Sequence, residues 1–439
     1  MPVAALRPFR HRRFALVWTG GMVSTIGSWM QTVAVGALVT DLTRNPIWTA
    51  AAFVAGFLPS GVLSPIGGAL ADRVDRRRFV MASNAVEAAI AATLAALVGA
   101  GQTNPVLVTA LVFLAGCVAS VRLPFQHAML PDLVPTDDLM AAVSLGSAQW
   151  NLGRVLGPAV AGVVIVAGSF ATAFALNAAS FLAVIAAFAV VRVPRPVPSE
   201  DDPGLLAELR AGAAVVRREP GCRAAIVLIA AAAGLAAPFI ALIPAMASEL
   251  AEAGSKALAG ATGALTTAQG VGAVLGTLAF PSLVERFGRR RMLVAMLVAT
   301  SAALVPYALA PTVAVGVVGI ALVGACYICV LSGLSGVMQL RAPARFRGRL
   351  MSLFFATVAI VFPLGAMAQG VLAGRVGLRA TTLGGGAALL LVVAAVAVLR
   401  PRLLSALDDP PLVPLALPGT PRLVPRPVDG DARPPAVGE

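Results

Sequence analysis

Ala71-Asp72-Arg73-Val74-Asp75-Arg76-Arg77-Arg78 and Val284-Glu285-Arg286-Phe287-Gly288-Arg289-Arg290-Arg291 are two versions of one loop. Each has an acid, an arginine, an apolar residue and then a triple arginine, and the copies lie 213 residues apart. A second set, Pro135, Ser144, Gly157 and Gly162, recurs as Pro343, Ser352, Gly365 and Gly370 at an offset of 208. Two matches in register identify the 439-residue chain as a duplication. Each loop sits between apolar runs long enough to cross a bilayer, which takes roughly 20 residues of helix.

Composition agrees with that reading. The chain is 59% hydrophobic and only 12% charged, whereas soluble domains carry about a quarter charged residues. A cytosolic enzyme is therefore excluded. A membrane β-barrel is excluded too, because the apolar runs are continuous and lack the ten-residue alternation of barrel strands. The runs cover about 14–42, 47–71, 79–100, 105–126, 139–167 and 169–191. They resume at about 223–248, 258–284, 290–309, 312–338, 349–374 and 379–399. The expected fold class is an all-α polytopic membrane protein with twelve transmembrane helices in two six-helix repeats.

The domain plan follows from the breaks in hydropathy. Residues 1–13 form a basic N-terminal segment, 14–191 the first bundle, 192–222 a linker, 223–400 the second bundle and 401–439 a Pro-rich tail. In the linker, Gly204 to Arg218 sets Leu205, Leu206, Leu209, Ala213 and Val216 at helical spacing. That pattern predicts an amphipathic helix on the membrane surface. The tail holds ten of the 32 prolines and no apolar period, so it is expected to be disordered. No signal peptide is expected ahead of the first span, because residues 1–13 are polar and the first apolar run is too long for one.

The net charge of +13 comes from 32 arginines and one lysine, Lys256, against 20 acids. The arginines cluster in alternate loops, which is the orientation signal of a membrane protein and not a nucleic-acid stripe. Placing Arg7, Arg10, Arg12, Arg13, the two triple-arginine loops, the linker with Arg223, the loop with Arg341, Arg345, Arg347 and Arg349, and the tail inside leaves only Arg44, Lys256, Arg375 and Arg379 outside. Both termini are expected to be cytoplasmic in the cell (inner) membrane. Cys326-Tyr327-Ile328-Cys329 has redox spacing but lies in an apolar run, so its cysteines read as small buried residues. No G-x-x-x-x-G-K-[ST] occurs, so energy has to come from a gradient and not from a fused ATPase. No His/Cys cluster has metal-ligand spacing, and neither a metal nor a cofactor is expected.

Gly68-Ala69-Leu70-Ala71-Asp72-Arg73-Val74-Asp75-Arg76-Arg77-Arg78 resembles the helix 2–3 signature of the major facilitator superfamily, G-x-x-x-D-R-x-G-R-R, with Asp75 in place of the second Gly. In the second copy Gly288 keeps that Gly, while Pro281 stands where the first would be. Gly153-Arg154-Val155-Leu156-Gly157-Pro158-Ala159-Val160-Ala161-Gly162 resembles the helix 5 antiporter signature. Ser28-Trp29-Met30-Gln31, the Asp41-Leu42-Thr43 end of helix 1 and Leu130-Pro131-Asp132-Leu133-Val134-Pro135 are similar to the branch with enterobactin exporters and macrolide efflux proteins.

The resemblance implies a secondary transporter working by alternating access, with its site between the halves. It implies a gating motif of Gly68, Asp72, Arg73, Arg76 and Arg77, repeated as Glu285, Arg286, Gly288, Arg289 and Arg290. It also implies an antiporter motif of Gly153, Gly157, Pro158 and Gly162, in which Pro158 is expected to break helix 5. The expected activity is export of an amphipathic drug- or siderophore-like molecule in exchange for protons, by a monomer. An uptake permease on the same fold, or a non-transporting membrane scaffold or enzyme, are the competing readings.

Charged groups in mid-membrane cost a few kcal/mol or more unless paired or hydrated. Glu87 and Arg154 are therefore the candidates for proton coupling, and Arg154 equally for substrate contact; each other, Asn84 and Asn151 are their possible partners. Asp41 and Arg122 lie near helix ends and read as hydrated. Trp29, Gln31, Asn151, Asn177 and Gln369 are the candidates for substrate binding. Sparse amides and indoles in an apolar cavity suit a bulky, partly apolar ligand.

Overall fold

The computed structural model describes residues 4–71, 73–193, 214–342 and 346–408. Twelve helices among them are long and apolar enough to cross a membrane. They are α1 Arg12–Thr43, α2 Pro46–Ala71, α3 Arg76–Gly99, α4 Pro105–Ala128, α5 Thr136–Ala167 and α6 Phe170–Val190. The second set is α7 Pro220–Leu250, α8 Ser255–Phe287, α9 Arg289–Ala308, α10 Val313–Arg341, α11 Arg347–Val376 and α12 Leu378–Leu399. A short α13, Pro401–Ser405, follows.

Each helix begins within a few residues of an expected apolar run, and local chemistry sets several starts. Asp75, Asn104, Ser169, Glu219 and Thr312 accept hydrogen bonds from backbone N–H groups in the first turns of α3, α4, α6, α7 and α10. Such caps satisfy donors that a helix start leaves unpaired.

Two helices differ from expectation. α5 runs unbroken through Pro158, so the predicted break is absent. The carbonyl that Pro158 leaves without its usual donor belongs to Arg154, and Gly270 of α8 packs against it. α7, expected to be one regular run, changes form in mid-course instead. It is α-helical over Pro220–Ala231, π-helical over Ala232–Ala236, 3-10 over Ala237–Ile240 and α-helical again over Ile243–Leu250. Pro238 and Pro244 lie in and just after this irregular stretch, where each removes a donor.

The two halves pack alike. In the first, α2 lies on α4, α3 on α6, and α1 on α5 and α6; in the second, α8 lies on α10, α9 on α12, and α7 on α11 and α12. Six added to each helix number converts one set into the other. The halves meet through α5 on α8 and α2 on α11, a pair of contacts that the same shift exchanges. Glycines bring backbones together where the packing is tightest: Gly116 of α4 faces the carbonyls of Ala55 and Gly56, and Gly272 and Gly276 of α8 face Ala321 and Ala325. Apolar tails compete equally well for apolar side chains, so close backbone approach is a main source of helix association in a bilayer.

The ends of the bundle are unequal. The arginine-rich loops gather at one end, with the segments around His11, which bonds to Asp138, and Asp408, which bonds to Arg290. At the opposite end the halves close on each other: Ser255 donates to Asp41 at 2.5 Å, Gly370 packs on Pro46 and Ala50, and Gly36 on Pro244.

The tail differs in part from its expected description. Residues 401–408 are ordered and packed, with Leu404, Ala406 and Leu407 buried. The disorder expected from 401 is thus corrected for its first eight residues, because Leu404 and Leu407 give this stretch an apolar face. The remainder of the tail, 409–439, lies outside the described residues. Of the expected linker helix at 204–218, residues 214–218 are described and helical, and the rest lies outside the described residues.

Candidate functional site

A cavity of about 90 Å³ lies between the halves towards their closed end. Trp29, Gln31 and Gly36 of α1 and Phe53 and Phe57 of α2 line it from one side. Ile240, Ala241, Ile243 and Pro244 from the irregular stretch of α7, with Thr262 and Thr266 of α8, line it from the other. Pockets for drug-sized ligands run to roughly 300–1,000 Å³, so this cavity is small for one.

Three aromatic rings, Trp29, Phe53 and Phe57, stand among the aliphatic and small residues of the lining. Trp29 meets the ring of Trp150 edge-on at 5.5 Å and lies 6.3 Å from Phe57. Phe57 stacks on Phe53 at 4.5 Å, and Phe53 meets Phe362 of α11 at 5.4 Å. One continuous ring system therefore crosses from the first half into the second. The sequence analysis named Trp29 and missed Phe53, Phe57 and Phe362. The spacing Phe53…Phe57 on one helix face was the available signal.

Gln31 reaches the cavity with its orientation fixed from behind. Asn177 of α6, fully buried, donates to Gln31 Oε1 at 2.8 Å. Asn177 therefore supports the cavity wall without lining it. Gln369 lies elsewhere: its amide donates at 2.6 Å to the carbonyl of Leu235, in the π-helical turn of α7. Asn151 is exposed and bonds back to Ser147 on its own helix. Of the five candidates for substrate contact, the structure brings Trp29 and Gln31 to the cavity.

The helix 5 signature sits at the joint between the halves. Gly153 and Gly157 seat α5 against Thr25, Ile26 and Trp29 of α1, while Pro158 and Gly162 face Gly260 and Gly263 of α8. A side chain at Gly157 would meet Trp29 and the Ile26 carbonyl.

Glu87 is buried, and its partner is neither Arg154 nor an amide. Arg122 of α4 donates to it twice, Nε at 2.7 Å and a terminal nitrogen at 3.3 Å. The side chains are 6% and 13% exposed, so Arg122 is not the hydrated helix-end residue expected. The reason is direction. Side chains tilt towards the N-terminus of their helix, and α3 and α4 run antiparallel. Arg122 thus leans from near its helix end into mid-span, and Glu87 leans to meet it.

The first arginine loop knits four helix ends together. Arg76 donates to the carbonyls of Ala71 at 2.9 Å and Ala128 at 3.1 Å, with Asp132 at 3.8 Å. Arg77 donates to Phe188 at 2.6 Å and Ala189 at 3.0 Å. These carbonyls end α2, α4 and α6, where a cation also complements the helix dipole. Arg73 is exposed, and Asp72 lies outside the described residues. Gly68 has open space around it; the close-packed glycine is its neighbour Gly67, against the backbone of Val121. In the second copy Glu285, Arg286 and Arg290 are exposed, Arg289 is half-buried, and Gly288 adopts φ +83°.

Residues 3–422 match the family described as transmembrane secretion effector. The chain is 27% identical over 397 residues to the multidrug efflux pump Tap of Mycolicibacterium fortuitum, covering 88% of this chain and 95% of that protein. It is 25% identical over 211 residues to macrolide efflux protein A of Streptococcus pyogenes, covering 48% of this chain and 52% of that protein. Among solved structures, a bacterial homologue of the human lysosomal transporter Spinster, inward-facing and occupied, superposes with a TM-score of 0.74. At 13% identity over 92% of this chain and all of that one, this likeness concerns the fold.

Proposed function

Because the chain belongs to the transmembrane secretion effector family, within the major facilitator superfamily, and is a multi-pass membrane transporter of small molecules and not an enzyme, we propose that it exports amphipathic compounds in exchange for protons. The observation that carries this reading is the cavity built from both halves, with aromatic rings on the side of the first. A site that takes Trp29 and Gln31 from one bundle and the α7 irregularity from the other changes whenever the bundles rock. Alternating access needs that property.

The arginine-rich end, with both termini, is cytoplasmic in this proposal, and the protein works as a monomer. The closed opposite end then makes this the inward-facing state. Residues 14–191 and 223–400 move as the two rocking units, joined by 192–222. Arg76 and Arg77 hold the first bundle rigid at its cytoplasmic end, and they exchange partners when that end closes. The four glycine-proline positions of α5 form the pivot against α1 and α8. The family resemblance and the relatives named as efflux proteins support the outward direction.

Glu87 carries the proton. Its protonation would remove the charge that holds Arg122, and leaving a buried ion unpaired costs about 3–5 kcal/mol. An energy of that size changes a two-state ratio by about a hundredfold to a few thousandfold.

The test is gradient dissipation in energised inside-out vesicles over a panel of macrolides, siderophores and cationic dyes. At least one compound is expected to collapse the proton gradient with wild type and not with Glu87→Gln. Labelled compound accumulating in the vesicles while the gradient stays intact would overturn antiport. Accumulation only in right-side-out vesicles would overturn export.

A further inference from the structure

Arg154 has no counter-ion among the described residues. Its Nε is buried and has no hydrogen-bond partner, and no ion pair joins it among the described residues. Away from the helix ends, the described spans offer one carboxylate, Glu87, which Arg122 already holds in a two-point contact. Every other acid in a described span lies within a turn of a helix end: Asp41 closes α1, Asp137 and Asp138 open α5, Glu249 closes α7 and Glu285 closes α8.

The direction of the side chain follows from its neighbours on α5. Gly153 and Gly157 face α1, and Pro158 and Gly162 face α8. At about 100° per residue, position 154 falls between those two rows, towards the junction of α1, α5 and α8. Across that junction stands Tyr327 of α10, in the other half: Gly270 of α8 packs on Val155 and the Arg154 carbonyl, and Gly324 of α10, one turn before Tyr327, packs on the neighbouring Gln269 carbonyl of α8. Tyr327 is 7% exposed, and its ring packs edge-on against Phe239 in the 3-10 turn of α7. No hydrogen bond engages its hydroxyl among the described residues. A guanidinium and a phenol, both with unused donors, thus come to one junction of α5, α8 and α10 from opposite bundles.

We infer that Arg154 and Tyr327 form an anion subsite that receives a carboxylate of the transported molecule. A guanidinium offers five donors in a planar fork matched to a carboxylate, and an anion restores the neutrality that mid-membrane burial demands. The phenol O–H adds a donor from the second half, so an acid bound there ties the halves together. The substrate class is then an amphipathic acid: an aromatic or macrocyclic body against Trp29 and Phe57, with a carboxylate on Arg154. This rests on the transport reading but not on its direction or its coupling ion.

The experiment is equilibrium binding to the purified full chain in detergent, read by quenching of tryptophan emission. The probes are a xanthene dye as its free carboxylic acid and the same dye as its methyl ester. Wild type is expected to prefer the acid by about tenfold to a hundredfold, the scale of a charge-assisted hydrogen bond. Arg154→Gln is expected to bind acid and ester alike while keeping wild-type affinity for the ester, which shows that the fold and the aromatic surface persist. Arg154→Lys is expected to recover part of the preference, and Tyr327→Phe to lose a few-fold of it. Equal binding of acid and ester by wild type, binding of neither, or an acid preference that survives Arg154→Gln would each overturn the subsite. The vesicle assay fails separately: acid preference without gradient collapse removes antiport and leaves the subsite, and gradient collapse without acid preference does the reverse.

Discussion

The loops at 72–78 and 285–291 share a pattern and have opposite dependencies. In the first copy the helix that follows caps itself: Asp75 accepts from Arg78 N–H at 3.0 Å at the start of α3. Arg76 and Arg77 then bind the ends of α2, α4 and α6. In the second copy the equivalent of Asp75 is Gly288, which has no side chain to cap with. The carboxylate arrives from 118 residues away, as Asp408 accepts from Arg290 N–H at 2.8 Å. The segment carrying Asp408 is held in turn by Arg341, which donates to the Ala406 carbonyl and, at 3.1 Å, to Glu219. The first bundle therefore closes its arginine-rich end with local residues, and the second borrows the first residues of the tail. A duplicated motif can keep its spacing while the job of one residue moves to a distant segment.

The sharpest way to break this comparison is Arg341→Ala. Arg341 and Glu219 are 4% and 5% exposed, and removing one partner of a buried pair costs about 3–5 kcal/mol. A large fall in the unfolding midpoint in detergent is expected. An unchanged midpoint would mean that the tail segment does not hold the second bundle. Gly288→Ala comes next, at about 1–3 kcal/mol, because φ +83° with ψ 150° is a region essentially reserved for glycine. Asp75→Gly, its mirror, should cost only a few tenths of a kcal/mol, since glycine is itself tolerated at a cap. Equal effects of the two would erase the asymmetry. The caps can also be removed singly. Asp75→Ala should cost about 1 kcal/mol, read as faster amide exchange at the start of α3. Asp408→Ala should speed exchange at the start of α9 by less, since α9 is also held by its packing on α10 and α12. Faster exchange at α3 in the Asp408 variant would show that the two caps are not independent.

Much of the fold was legible because bilayer physics is read from single segments. Twenty apolar residues in a row specify a span whatever they touch. The repeat, the twelve runs and the arginine loops needed no tertiary information. The site was legible only in part. Trp29 and Gln31 were found because the superfamily that the signatures resemble lines its cavity with helix 1. The partner of Glu87 was missed because sequence position places Cα atoms, whereas the lean of Arg122 along an antiparallel helix decides where its guanidinium goes. Gln369 was misleading for a related reason. An amide in an apolar run signals that something polar lies nearby, and here that is the Leu235 carbonyl freed by the irregular turn of α7.

The sequence by itself determined the membrane, the twelve spans, the duplication and the family signatures, because each is a property of composition or of spacing along one segment. Only the tertiary structure decided which charges are paired and which are left over. It set Arg122 on Glu87, Asn177 behind Gln31 and Asp408 over α9, and it left Arg154 across from Tyr327. Those outcomes depend on distances between helices far apart in the chain. A buried charge is stabilised by whatever stands within about 4 Å of it, and nothing in the linear order of residues records that distance.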